Sequence, residues 1–167
     1  MELPSRKQNR LKNYDYSQNG AYFITICVKE RKKILSNIIV GTGVLDCPKI
    51  CLSNYGKIAD KYINKLNDFY DNIFVDKYVI MPDHIHMIIR ISVGQSGTPV
   101  PTNVNNRNSD VAKFVSTFKR FCNKEYGKNI WQSRYYDHII RNQIDYNEVW
   151  QYIENNPIKW KLDKDNK

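Results

Sequence analysis

Residues 81–89 read Met-Pro-Asp-His-Ile-His-Met-Ile-Ile, an apolar run that contains two of the three histidines of the chain. Side chains alternate between the faces of a strand, so His84 and His86 are predicted to point the same way while Ile85 points toward the core. Two imidazoles about 6–7 Å apart on one face can share a divalent ion. A pair of half-exposed polar positions on an amphipathic strand explains the same pattern, because H-x-H alone is a weak signal.

The segments around this stretch predict a sheet with helices. Apolar and β-branched runs indicate strands, and glycines between two such runs indicate a hairpin. The predicted strands cover 21–29, 73–81, 84–92 and 135–140, and the predicted hairpin covers 36–53. Apolar residues at 3–4 spacing predict helices over 54–70, from Ser109-Asp110 onward, and over 144–156, where Pro157 is expected to end the helix. Residues 93–108 read as a loop. This order favours an α+β fold with helices on one face of an antiparallel sheet.

Length and composition narrow the class of protein. The chain has 167 residues and 41% hydrophobic residues, without an apolar run of about 18, so we expect a folded domain and no membrane span. Residues 1–20 are polar and basic and predict an arm; residues 21–167 predict one domain. The four cysteines lack C-x-x-C spacing, which favours reduced thiols in a cytoplasmic protein; they are Cys27, Cys47, Cys51 and Cys122.

The net charge of +9 is unevenly distributed. Residues 1–34 and 107–141 each carry eight basic and three acidic residues, whereas the segment between them is neutral. Two basic blocks on one face would suit a nucleic acid, although surface lysines also serve solubility alone. The candidate phosphate contacts are Arg6, Lys7 and Arg10 in the arm and Lys113, Arg120 and Lys124 on the second helix.

The last predicted helix carries two further candidates. Tyr152 and Asn156 are four residues apart and therefore stack on one helix face. Asn156 can supply an oxygen ligand to a metal, or it can cap the helix before Pro157. Tyr152 can point its hydroxyl into a cleft, or it can simply pack beside the apolar residues Val149 and Ile153 of the same helix.

A tyrosine beside such a metal site is suited to attack on a phosphodiester. A nearby cation lowers the cost of ionising the phenol and polarises the phosphate. The product is a phosphotyrosine ester, which keeps the bond energy, so that a second strand's hydroxyl can reverse the step. The pattern therefore predicts strand cleavage that is coupled to strand transfer.

Several motifs together resemble a known family. Tyr78-Val-Ile-Met-Pro-Asp-His-Ile-His86, the block Ile130-Trp-Gln-Ser-Arg-Tyr-Tyr-Asp-His-Ile-Ile-Arg141 and Tyr152-Ile-Glu-Asn-Asn-Pro157 follow one another in the order found in single-tyrosine HUH transposases. The chain is similar in particular to REP-associated tyrosine transposases and to the transposases of single-stranded insertion sequences.

This resemblance implies both a fold and a set of roles. It implies a ferredoxin-like, palm-like antiparallel sheet with flanking helices. It assigns Tyr152 as the nucleophile, His84 and His86 as ligands of Mg²⁺ or Mn²⁺, and Asn156 as a third ligand. The implied partner is single-stranded DNA next to a hairpin, bound by a monomer or a homodimer.

Two other functions stay open on the sequence alone. One is a related HUH nickase of replication or plasmid transfer, which cleaves DNA without moving an element. The other is a non-catalytic nucleic-acid-binding module that has kept the fold. A pure binder has no need of the set Tyr152, His84, His86 and Asn156, and this favours an enzyme.

Overall fold

The computed structural model of the protein describes residues 18–39, 48–92 and 109–165. The elements are β1 (Gly20–Cys27), β2 (Ser36–Ile39), β3 (Lys49–Leu52), α1 (Asn54–Phe69), β4 (Ile73–Ile80), β5 (His84–Ile91), α2 (Asp110–Tyr126), β6 (Tyr136–Ile140) and α3 (Gln143–Asp165). The predicted arm up to residue 17, the tip of the predicted hairpin, Cys47 and the predicted loop over 93–108 lie outside the described residues.

The main sheet has four antiparallel strands in the order β4-β5-β1-β6. In chain order, α1 lies between β1 and β4 and α2 lies between β5 and β6, which gives the ferredoxin-like arrangement. The strands β2 and β3 form the predicted hairpin as a separate two-stranded sheet. The predicted α+β class with an antiparallel sheet is therefore confirmed.

Both faces of the central strands are covered. On one face, alternate residues of β1 and β5, such as Ile24 and Ile85, join the main core with Phe114 and Phe118 of α2. On the other face, Phe23 and Ile88 pack with Ile153 of α3. Thus α1 and α2 lie on one face as expected, but α3 covers the opposite one. The reason is that β1 and β5 are apolar on both sides, so each side must be buried.

The predicted helix starts are confirmed. The side chain of Ser53 accepts a hydrogen bond from the Gly56 amide at the start of α1, and Ser109 accepts one from Ala112 at the start of α2. Gly127 ends α2 in the left-handed conformation (φ 67°), which favours glycine. Within the described residues, no helix is long and apolar enough to cross a membrane.

The prediction that Pro157 ends the last helix is wrong. The helix α3 continues through Pro157 to Asp165, so Asn156 is an interior residue and not a C-cap. Proline removes one backbone hydrogen bond and strains the preceding turn, so the continuation needs support from packing. Asn156 and Pro157 are themselves buried, and the ring of Trp160 lies 5.8 Å from that of His84.

Polar contacts attach α3 to strand β4. The Tyr146 hydroxyl donates to Oδ2 of Asp76, at the bulge in β4, over 3.0 Å. Nζ of Lys77 lies 3.3 Å from a Glu154 carboxylate oxygen and 4.2 Å from the ring centre of Trp150. Ile153 is fully buried, whereas Tyr146 and Trp150 are half-buried. The helix is therefore fixed across the sheet by polar and apolar contacts together.

The turn between β4 and β5 is fastened to the start of α1 through one residue, Leu35. Its amide donates to the carbonyl of Pro82, and its own carbonyl accepts from Ser53. Gly56 packs so closely on Leu35 that a Cβ at position 56 would overlap the Leu35 carbonyl oxygen. This close approach holds the turn that begins the histidine strand.

Gly56→Ala is expected to lower the free energy of unfolding by about 1–3 kcal/mol, the usual cost of forcing extra atoms into a packed site. The measurement is urea unfolding followed by circular dichroism. The matched control is Gly20→Ala, since a Cβ at position 20 meets only the Tyr22 side chain at 3.7 Å, an ordinary contact. Equal stability of the two variants would contradict the proposed close packing.

Candidate active site

The two histidines of β5 meet at their ring nitrogens. His84 and His86 lie on the α3 face, as predicted, and Nε2 of one ring is 2.9 Å from Nε2 of the other. Their side chains are only 5% and 6% exposed, so the alternative of two half-exposed polar positions is wrong. Ile85, between them, is buried in the core on the other face. The strand thus delivers two imidazoles to one buried point.

The outer nitrogens of both rings are held by neighbours. Nδ1 of His84 lies 2.5 Å from Oδ1 of Asp83, and the other carboxylate oxygen of Asp83 pairs with Nε of Arg31 at 3.0 Å. Nδ1 of His86 lies 2.8 Å from the hydroxyl of Thr25, its cross-strand partner on β1. Such partners fix the orientation of histidines and leave Nε2 for a ligand role.

The charge state of His86 follows from its burial. Burial, with smaller contributions from the charges of His84 and Arg31, lowers the pKa of His86 to about 3. The His86 ring is therefore neutral near pH 7. A carboxylate accepts but does not donate, so Nδ1 of His84 carries the hydrogen toward Asp83 and its Nε2 points at His86. Nitrogens that converge in this way favour a proton or a cation between them.

Tyr152 lies at the same point. Its hydroxyl is 3.5 Å from Nε2 of His86, and the two ring centres are 5.2 Å apart. Phe23 of β1 contacts both rings, since it stacks on His86 with centres 5.1 Å apart and meets Tyr152 edge-on at 5.8 Å. The Tyr152 side chain is 39% exposed, so a substrate can reach it. The structure therefore brings Tyr152 and both histidines together.

The remaining part of α3 completes the surroundings. Asn156 is buried one turn after Tyr152. Nζ of Lys159 lies 5.5 Å from the Tyr152 ring centre, and Nζ of Lys33 lies 5.8 Å from that of Trp160. Because the helix continues beyond Pro157, it adds a cation and an aromatic ring to the site.

Sequence reasoning missed several of these neighbours. Two of them could have been predicted from their positions in the sequence. Asp83 is adjacent to His84, and Lys159 is seven residues after Tyr152 and thus on the same helix face. Arg31 could not be predicted in this way. It lies in a turn after β1 with φ of 54°, a left-handed conformation that is uncommon for a residue other than glycine, and this conformation accompanies its pairing with Asp83.

The histidine pair fits a divalent cation. Two ligands at right angles on an octahedral ion, each about 2.1 Å from it, are about 3.0 Å apart. The observed separation of 2.9 Å between the Nε2 atoms agrees with this value. Across the described part of the chain, no group of three His, Cys, Asp or Glu side chains forms a metal cluster. Further ligands would therefore be oxygens of an amide, of the substrate or of water, and Asn156 is the amide that the sequence predicts.

The predicted DNA contacts are not gathered at this site. Lys113, Arg120 and Lys124 are exposed on α2, which packs on the opposite face of the sheet from Tyr152. Lys113 pairs with Asp110 at 3.0 Å. Arg6, Lys7 and Arg10 lie outside the described residues. A single DNA strand that contacts both α2 and Tyr152 therefore has to pass around an edge of the β-sheet.

Comparison with known proteins identifies relatives over most of the chain. The chain is 31% identical to an uncharacterized protein of Haemophilus influenzae, with 95% of this chain and 92% of that protein covered. It is 32% identical to the REP-associated tyrosine transposase of Escherichia coli, with 86% of this chain and 70% of that protein covered. The solved structure of a REP-associated tyrosine transposase bound to a REP hairpin shares the fold, with a TM-score of 0.63 and 22% identity over 90% of this chain and 73% of that one.

The family described as "Transposase IS200 like" matches residues 16–156, which include β1, the histidine strand, Tyr152 and Asn156. This range spans nearly all of the described fold. The chain therefore belongs to the IS200-like transposase family and is a tyrosine transposase.

Proposed function

We propose that Tyr152 is the nucleophile with which this transposase cuts single-stranded DNA. The observation that carries the proposal is the distance of 3.5 Å between the Tyr152 hydroxyl and Nε2 of His86, at the point where the two buried histidines converge. The phenol oxygen forms a bond to phosphorus, and the bond from phosphorus to the departing strand's oxygen breaks. The phenol loses a proton and the departing oxygen gains one. Attack by another strand's hydroxyl reverses the step and joins the DNA.

The residues around Tyr152 have separate roles in this proposal. Phe23 and His86 hold the Tyr152 ring through ring contacts, which keeps the phenol oxygen in place. The Lys159 ammonium, close to the same ring, favours the approach of a phosphate. Asp83 and Thr25 are positioning residues, because they hold the outer nitrogens of the two histidines.

We propose Mg²⁺ or Mn²⁺ as the cofactor, held by His84, His86 and Asn156. When bound, the ion polarises the phosphate and lowers the cost of ionising the phenol. The convergent nitrogens support the two histidine ligands. Asn156 is the third proposed ligand, buried one helix turn after Tyr152. Oxygen positions left for a phosphate are typical of Mg²⁺ sites that act on phosphate esters.

The proposed partner is single-stranded DNA that contains a hairpin. The fold neighbour bound to a REP hairpin supports this choice. The basic residues Arg6, Lys7, Arg10, Lys113, Arg120 and Lys124 stay predicted phosphate contacts; on the Tyr152 face, Lys33 and Lys159 add positive charge. Similarity to transposases does not favour the nickase or the non-catalytic binder.

Tyr152→Phe is expected to bind hairpin DNA as well as the wild type but to form no covalent adduct, because only the phenol oxygen is removed. The measurement is a denaturing gel of protein incubated with Mn²⁺ and a library of single-stranded oligonucleotides with one fixed hairpin and randomised flanks. Tyr135→Phe is the matched control and should retain the adduct. An adduct of wild-type yield in Tyr152→Phe would show that another residue is the nucleophile.

His84→Ala and His86→Ala are each expected to weaken Mn²⁺ binding at least tenfold, since each removes one of two converging ligands. The measurement is Mn²⁺ titration followed by electron paramagnetic resonance, which needs no DNA and no activity. His138→Ala removes the third histidine of the chain and should leave the Mn²⁺ affinity unchanged. The ligand assignment is refuted when all three variants bind Mn²⁺ like the wild type.

A further inference from the structure

We infer that the cavity beside Tyr152 binds one unpaired nucleotide next to the cut phosphate and reads its base. This inference rests on the proposed function of Tyr152. The cavity has a volume of about 510 Å³ and opens between α3 and the strands β1 and β6. Tyr152 and Lys159 line it on the α3 side, and Tyr136 and His138 line it on the β6 side. A cavity of this size accommodates a nucleotide-sized ligand.

Two elements form the walls of the cavity. On α3 the lining residues recur at spacings of three and four and therefore share one helix face; they are Glu148, Gln151, Asn155 and Lys159, beside Tyr152. On β6, Tyr136 and His138 are two residues apart and point to the same side of the sheet. Phe23, the cross-strand partner of His138, lines the cavity between them.

The charges of the cavity are different at its two ends. Lys159 is close to the Tyr152 ring, where the cut phosphate must lie. At the far end, Nε2 of His138 is 3.0 Å from Oδ1 of Asp145, and the carboxylate of Glu148 is close by on the same wall. Carboxylates repel a phosphate, so the phosphate is favoured near Lys159, and the uncharged base lies toward Glu148, beside Gln151 and Asn155. The orientation of the nucleotide follows from this gradient.

The groups that would contact the base are exposed and available. The Tyr136 side chain is 49% exposed and offers a ring on which a base can stack. The amides of Gln151 and Asn155 are also exposed, and neither makes a hydrogen bond to another side chain or to the backbone within the described ranges. Amide side chains donate and accept at once, which suits the edge of a base. Tyr136 would therefore hold the base, and Gln151 and Asn155 would select it.

The first test sequences the DNA strands that react. Wild-type protein, Mn²⁺ and the randomised hairpin library give adducts, and sequencing of both cleavage products marks the cut phosphate. We expect one enriched base next to the cut. In the double variant Gln151→Ala and Asn155→Ala, adducts still form, but the enrichment at that position falls about tenfold while other positions keep theirs.

The outcomes separate the cavity from the nucleophile. If the wild type forms adducts and the double variant keeps the same enriched base, the cavity does not read the base and Tyr152 retains its role. A loss of enrichment that is equal at all positions also overturns the inference. If the wild type forms no adduct with any member of the library, the proposed function fails, and the cavity inference fails with it.

The second test measures stacking without cleavage. In Tyr152→Phe, an oligonucleotide with 2-aminopurine at the enriched position should lose fluorescence on binding, because the base stacks on Tyr136. Tyr136→Ala should abolish this quenching, and Tyr136→Phe should restore it. Phe69→Ala, which removes an aromatic side chain that is 67% exposed on α1, is the control and should leave it unchanged. Full quenching in Tyr136→Ala would overturn the stacking role.

Discussion

The register between β1 and β5 is the constraint on which the site depends. Thr25 lies opposite His86 and Cys27 lies opposite His84, so the histidines face α3 while Ile85 and Met87 enter the main core. A slip of one residue would exchange these faces and bury the imidazoles among aliphatic side chains. The polar residues of β5, His84, His86 and Arg90, all lie on the face toward α3, so the hydrophobic pattern itself excludes the slipped arrangement. The packing of the fold and the chemistry of the site thus depend on the same alternation.

The site also requires α3 to cross the face of the sheet opposite α1 and α2 in a position that brings Tyr152 to His86. Ile153 packs against Phe23 and Ile88, and this contact sets the neighbouring Tyr152 beside His86. The polar contacts of α3 with β4 fix its direction. The site therefore joins a rigid strand, which holds the histidines, to a helix whose nucleophile is still 39% exposed. In this arrangement the histidines keep a fixed geometry while Tyr152 stays accessible to a DNA strand.

Much of this could be predicted from the sequence, because periodicity reports which face of an element is apolar. The alternation in 84–91 placed His84 and His86 together, and the capping serines placed the starts of α1 and α2. Predictions from local sequence were wrong or missing where contacts between distant parts of the chain determine the structure. Pro157 signals a helix end, yet the surrounding packing keeps the helix intact. The pairing of Arg31 with Asp83 depends on a left-handed turn, and the placement of α2 away from Tyr152 depends on topology, so spacing could not reveal either.

Mass spectrometry of the covalent adduct identifies the attacking tyrosine. After incubation with Mn²⁺ and hairpin DNA, nuclease and trypsin digestion should leave a nucleotide on one peptide. Cleavage after Arg141 and Lys159 gives a peptide that contains both Tyr146 and Tyr152, and fragment ions distinguish the two. We expect the nucleotide on Tyr152 alone. A nucleotide on Tyr146, Tyr135 or Tyr136 would contradict the assignment of Tyr152 as the nucleophile.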